Sequence, residues 1–248
     1  MTSREATSLL PRLRGTRIVG KAGRSWRDWA ALLAIGIIQW PWLLRSLNGG
    51  SKEDRHALLD RLELPRDALP NLGSWKADVG LLRLVSEHIA EHQPKIMVEF
   101  GAGASTLVAA RALQRAGGGR LFSFEQHEDF VEATRQWLAQ YGLEAEIRAA
   151  PLMPSADWPG LWYDHGPVPE CIDLLVVDGP PWTIHPLTRG AADSLFDRIA
   201  VGGTVMLDDA ARPGERMVAR HWRRRWPNFE FRLVNSGSKG TLVGTRLR

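Results

Sequence analysis

The chain has 248 residues, a formal net charge of +4, 44% hydrophobic and 24% charged residues, proportions that suit a globular protein with one sizeable core. A single cysteine, Cys171, excludes an intramolecular disulfide framework and a cysteine-based zinc site, and fits a reducing compartment. Basic residues crowd the ends: Arg4, Arg12, Arg14, Arg17, Lys21, Arg24 and Arg27 face one acid, Glu5, before Asp28, and Arg220, Arg223, Arg224 and Arg225 cluster near the C-terminus. Neither cluster carries a nucleic-acid-binding signature, so no nucleic-acid partner is expected.

Residues 1–25 read as a basic, poorly ordered tail. Residues 29–44 then run without a charge and are apolar on all sides, unlike a surface helix. The run falls short of the ~20 residues a span needs, and Pro41 should kink it. No small-x-small cleavage site follows it, which argues against a signal peptide. Two readings stand. One is a helix lying on an anionic membrane surface, with tryptophans at headgroup level and arginines on lipid. The other is a helix packed on the domain or in a dimer interface. The expected location is the cytoplasm, on the inner face of the membrane in the first reading.

Residues 51–77 form a helical connector with a short helix near Asp54–Leu62, followed by Pro65, Pro70 and Gly73. From Asp78 onward helix and strand patterns alternate. Val79, Leu82, Val85 and Ile89 mark a helix face; Lys95–Phe100 is a strand and Ser105–Gln114 a helix. Leu121–Glu125 is the second strand, Phe130, Thr134, Trp137 and Tyr141 the next helix face, and Ala145–Arg148 the third strand. Ile172–Val177 is apolar throughout, as a central parallel strand should be. Thr188–Ala200 reads as a helix, Thr204–Asp208 as a strand, and Pro213–Arg225 as a helix opening on proline. Phe229–Val234 and Thr241–Leu247 flank a plausible hairpin loop. This alternation implies helices on both faces of a mostly parallel α/β sheet.

Four strand ends carry the chemistry. The first is Val98-Glu99-Phe100-Gly101-Ala102-Gly103-Ala104-Ser105-Thr106, where Gly101 and Gly103 let the backbone turn tightly against a ligand and the following helix offers unpaired N–H groups. A dinucleotide fingerprint would want a glycine at position 106, where Thr106 stands. The second, Phe122–Glu125, ends on an acid 24 residues after Gly101; its two oxygens suit two ribose hydroxyls. Gln126 and His127 follow. The third, Asp173 to Pro181, places Asp178 beside a proline-stiffened loop. The fourth, Gly202 to Asp209, ends on the adjacent acids Asp208 and Asp209.

From Trp75 to Leu247 the sequence resembles a bacterial class I S-adenosylmethionine-dependent methyltransferase, in the group with an Asp-Gly-Pro-Pro loop and a Leu-Asp-Asp-Ala strand end. The resemblance rests on Glu99-x-Gly101-x-Gly103, Asp178-Gly179-Pro180-Pro181 and Leu207-Asp208-Asp209-Ala210, which stand in the family's order. It implies a Rossmann-like seven-stranded sheet with an antiparallel terminal strand over residues 78–248, and S-adenosyl-L-methionine as methyl donor. The hydrophobic helical appendage within residues 1–50 lies outside it. The cofactor-binding residues expected are Glu99, Gly101, Ala102, Gly103, Ser105, Thr106, Glu125, Gln126 and Asp178. An acceptor hydroxyl needs a base, for which Asp178, Asp208 and His185 are the candidates, with His165 behind them. Asp178, Asp208 and Asp209 also resemble the metal-binding acids of catechol-type O-methyltransferases. Here, however, an aspartate stands where that group has asparagine, and the expectation is no metal.

The expected acceptor is a small molecule, sugar or glycolipid-type compound. Residues 151–170 read as a long binding loop, and Trp75, Trp162 and Trp182 are available to stack on an acceptor or to pack the loop down. An acid expected after the third strand is missing; Arg148-Ala149-Ala150 stands there. Two other functions fit parts of the pattern. An NAD-dependent oxidoreductase is disfavoured by Thr106 and by the lack of a Tyr-x-x-x-Lys pair. A membrane-tethered scaffold with a decayed methyltransferase fold is disfavoured by the intact strand-end residues.

Overall fold

A computed structural model of the chain describes residues 15–19, 26–235 and 237–248. Arg4, Arg12, Arg14, Lys21 and Arg24 of the basic tail lie outside the described residues. Helix α1 spans Trp26–Ile38 and α2 spans Trp40–Ser46. The expected kink is a break: Pro41 lacks an N–H and its ring crowds the preceding turn, so Gln39 ends one helix and the next begins with proline in its first turn. Helix α3, Lys52–Arg61, is capped by Ser51, whose hydroxyl accepts from the Asp54 N–H at 2.9 Å.

Next come α4 (Val79–His92), β1 (Ile96–Phe100), α5 (Ala104–Arg115), β2 (Arg120–Glu125), α6 (Glu128–Ala139) and β3 (Glu146–Ala149). A short antiparallel pair, β4 (Leu152–Pro154) and β5 (Leu161–Tyr163), follows. Then come β6 (Ile172–Val177), a 3₁₀ helix (Thr188–Arg198), β7 (Ile199–Leu207), α7 (Pro213–Arg225), β8 (Phe229–Val234) and β9 (Thr241–Arg246).

Seven strands form one sheet in the order β3-β2-β1-β6-β7-β9-β8. The first five are parallel, and β9 runs antiparallel between β7 and β8. The sheet order reverses between β1 and β6, whose C-terminal ends lie side by side: Phe100 pairs with Val177. Ligands bind at such a switch point in open α/β sheets. Asp173 locks the opposite end, accepting from the Lys95 and Ile96 N–H groups at 2.8 and 2.9 Å.

Two buried apolar layers cover the sheet. One combines Leu81, Leu82, Val85 and Ile89 of α4 with Leu107 and Val108 of α5 and Trp137 of α6, and it also takes in Leu58, Leu59 and Leu69. The connector is therefore part of this core. The other layer holds Phe100, Phe124, Trp162, Phe196, Leu195 and Trp222, and Trp222 donates its indole N–H to the Gly190 carbonyl at 3.0 Å.

Four sequence expectations change. The loop at 151–170 contains the β4–β5 hairpin, hidden by strands of three residues, one holding Pro154. The helix after β6 is 3₁₀ rather than α; its i→i+3 bonding leaves no distinct apolar period to read. Strand β7 starts five residues earlier than Thr204, across a register shift near Ile172 and a left-handed Gly202 at φ +83°. Residues 15–19, read as part of the loose tail, return to the domain: Ile18 pairs with Leu152, and Arg17 reaches Glu128 at 2.9 Å.

Leu59→Ala should lower stability by about 2–5 kcal/mol in urea unfolding. A loss under about 0.5 kcal/mol would mean that the connector packs loosely instead.

Candidate active site

The turn after β1 is built by hydrogen bonds among short polar side chains. Glu99 is fully buried, and its Oε2 accepts from the Thr106 hydroxyl at 2.6 Å and the Ser123 hydroxyl at 2.7 Å. The Thr106 hydroxyl in turn accepts from the Gly103 N–H at 2.8 Å. Glu99 thus ties the turn to the start of α5 and to β2, and does not itself line the cleft. Burial holds its carboxyl above the ordinary range against the hydrogen bonds from Ser105, Thr106 and Ser123. Gly101, at φ +100°, is required sterically: a Cβ there would lie 2.9 Å from the Gly179 nitrogen.

Beyond this turn opens a cleft continuous with solvent, at the strand ends where open α/β sheets bind ligands. Gly101, Ala102, Gly103, Ala104 and Ser105 form its floor. Glu125, Gln126 and His127 form one side, and Asp178, Gly179, Pro181 and Trp182 the other, with Tyr163, Arg189 and Arg212 also reaching it. Leu43, Trp75 and Phe130 line it as well. A Cβ on Gly103 would meet nothing within 4 Å, so the floor is open at that point.

Glu125 accepts from the His127 N–H at 2.9 Å, and burial, opposed by backbone hydrogen bonds from His127 and Ala102, lifts its carboxyl to about 7. The Gln126 Oε1 and the Tyr163 hydroxyl are buried at the cleft without a hydrogen-bond partner. Gly179 makes room for Tyr163, because a Cβ there would fall on its hydroxyl. Thr16 hydrogen-bonds the His127 imidazole at 2.9 Å.

At the ends of β6 and β7, Asp178, Asp208 and Asp209 each offer an oxygen within 4.8 Å of the others. Three side-chain cations meet them. Arg189 pairs with Asp209 at 3.0 Å and Asp178 at 3.7 Å, and donates to the Pro180, Asp178 and Asp208 carbonyls. Arg212 pairs with Asp209 at 2.8 Å. Lys239 lies 3.3 Å from Asp208 and 3.5 Å from Asp209, and donates to the Lys76 carbonyl.

Burial pushes Asp209 up, but Arg212, Lys239 and Arg189 together outweigh it and hold the carboxyl at about 2. Asp178 is driven well above the carboxylate range by burial and then by the Asp208 charge. Asp178 reaches the cleft, whereas Asp208 is fully buried behind it.

Residues 98–210 match the family described as Methyltransferase domain. The sheet order is that of the Rossmann-like methyltransferase fold, whose members take the methyl group from S-adenosylmethionine. The fold is shared with a methyltransferase from Geobacter sulfurreducens at 20% identity and TM-score 0.51, covering 78% of this chain and 87% of that one. It is also shared with the O-methyltransferase TomG of Streptomyces achromogenes, involved in tomaymycin synthesis and solved with S-adenosylmethionine (15%, TM-score 0.52, 90% and 100% covered). A third is an O-methyltransferase from Bacillus cereus solved with S-adenosylhomocysteine (15%, TM-score 0.53, 79% and 92% covered). Comparison with curated proteins finds no match.

The cleft fits S-adenosylmethionine. Its open glycine floor, the Glu125 carboxylate and the orphaned Gln126 and Tyr163 oxygens are the groups that a nucleoside with a zwitterionic tail needs. A divalent ion does not fit the acidic trio, because Arg189, Arg212 and Lys239 already neutralise it.

Of the remaining sequence candidates, His185 lies off the cleft wall, accepting from the Leu187 N–H at 3.2 Å with Nε2 3.8 Å from Asp28. His165 is half-buried against Phe100 and Phe124, away from the cleft. Trp75 and Trp182 line the cleft, but Trp162 packs on Phe100 in the core. Tyr163, Arg189 and Lys239 were not legible as site residues. Arg189 and Lys239 meet their acids only through folding, and Tyr163 sat in a stretch without strand periodicity.

Arg189→Met should cost about 3–5 kcal/mol in denaturant unfolding, because it strands buried carboxylates. A cost under about 1 kcal/mol would show that Lys239 and Arg212 suffice.

Proposed function

We propose that the chain transfers a methyl group to a hydroxyl oxygen of a small-molecule or sugar-type acceptor. The observation that carries this reading is Asp178, a carboxylate with elevated basicity at the wall of the cleft, opposite Glu125 and beside the Gly101–Gly103 turn. The O-methyltransferases among the structural neighbours support the choice of oxygen.

Glu125 takes the ribose hydroxyls, the 101–105 backbone and the start of α5 hold the polar tail, and Gln126 and His127 flank the base. When bound, S-adenosylmethionine supplies a methyl group already activated by its sulfonium. The task of the protein is then alignment and proton removal. The Asp178 Oδ1, which makes no hydrogen bond and lies 3.7 Å from Arg189, accepts the acceptor's proton. Asp208 acts behind it, raising Asp178 by its charge. Arg189 fixes the Asp178 segment through its backbone carbonyls. Trp75 and Trp182 supply the apolar faces against which an acceptor lies. His185 serves packing, and no divalent ion takes part.

An acceptor found by screening with labelled donor makes the test direct. Asp178→Asn should lower kcat by about 10²–10⁴-fold while S-adenosylhomocysteine still binds. Because the ionised carboxylate is the active form and burial raises it, wild-type kcat should climb with pH well above the ordinary carboxylate range. Chelation by EDTA should leave the rate unchanged. Full activity in Asp178→Asn would remove the base assignment, and loss of activity in EDTA restored by Mg²⁺ would return the acidic trio to metal binding.

A further inference from the structure

The helix pair α1–α2 is apolar on both faces. Leu32, Ile35, Trp42 and Leu43 turn toward the domain beside Asp28, Gln39 and Ser46, while Leu33, Ala34, Ile37, Ile38, Trp40 and Leu44 are left outward. Leu33 is 63% exposed, Ile37 76% and Trp40 51%. Gln39 is fully buried with neither amide atom hydrogen-bonded. One apolar face would suffice to pack the pair on the domain, so the second, outward stripe of large apolar side chains is built for an apolar medium.

We infer that this face docks on an anionic lipid bilayer. Charge decides between lipid and a second copy of the chain. Seven basic residues against one acid lead into α1, and Asp28 is turned inward, within 3.8 Å of His185. Pairing two copies along this stripe would bring two such cationic leaders together, whereas anionic headgroups attract them. Exposed Trp26, at the start of α1, and Trp40, at the start of α2, suit the headgroup level. No helix among the described residues is long and apolar enough to cross a membrane, so the pair lies along the surface.

Docking here bears on the proposed methyl transfer, on which only this consequence rests. Leu43 of α2 lines the cleft, and Gly36 of α1 packs on Trp182, another lining residue, where a Cβ would lie 3.5 Å from the ring. An acceptor held at the same surface, on the cytoplasmic face, reaches the cleft beside the helix pair.

The test is flotation of the full chain with phosphatidylcholine vesicles, with and without phosphatidylglycerol. The chain should float with the anionic vesicles, less so as salt is raised. The Leu33→Glu, Ile37→Glu double variant should lose roughly tenfold or more in bound fraction. Its circular dichroism and S-adenosylhomocysteine binding should stay unchanged, which separates failure of docking from failure of the methyltransferase reading. A wild-type chain that stays at the bottom of the gradient overturns the inference. So does sedimentation showing a dimer that the double variant dissociates while vesicle binding is untouched.

Discussion

The fold depends on the burial of three carboxylates at the ends of β6 and β7. Charge taken out of water must be met by charge, and here it is met by residues far apart in the chain. Arg189 comes from the 3₁₀ helix, Arg212 from the entry to α7, and Lys239 from the loop between β8 and β9. The C-terminal hairpin, the last helix and the cleft wall are thereby fastened to one another. Asp78 extends the network: it caps α4 through the Leu81 N–H and also accepts from the Ser238 N–H at 2.8 Å. The helix before β1 and the loop before β9 are thus held at one point.

That constraint shapes the chemistry. Two of the acids are spent on structure, and the third is left at the cleft with its charge disfavoured. Asp208 stands next to Asp178, and Arg189 reaches Asp178 only at 3.7 Å. On the donor side, the Glu99–Thr106–Gly103 chain of hydrogen bonds shapes the turn from behind and only its last member, Gly103, lines the cleft. The two sides meet where the Phe100 carbonyl accepts from the Asp178 and Gly179 N–H groups at 2.9 and 2.8 Å and Gly101 lies against the same backbone.

The central parallel strands were legible because each is an apolar run ending in a chemically loaded turn. Ile172–Val177 and Pro213–Arg225 fall where their patterns place them. What stayed hidden depends on partners distant in sequence. Nothing local marks Lys239 as the counter-charge of Asp208, or Ser123 as the second donor to Glu99. Hydrophobic periodicity likewise fails for α1, where the run is apolar all round and only packing reveals which face turns outward. An acid two residues before the first glycine reads as a ligand contact; in Glu99 the same position serves the scaffolding bonds to Thr106 and Ser123.

Calorimetric titration with S-adenosylhomocysteine tests the cleft most directly. Glu125 lines it with a carboxyl lifted to about 7, and the ionised form is the better acceptor for ribose hydroxyls. Affinity should therefore rise between about pH 6 and about pH 8, and Glu125→Gln should bind more weakly with that rise abolished. Absence of binding by the wild-type chain, or an identical pH dependence in Glu125→Gln, would contradict the placement of the donor at these strand ends.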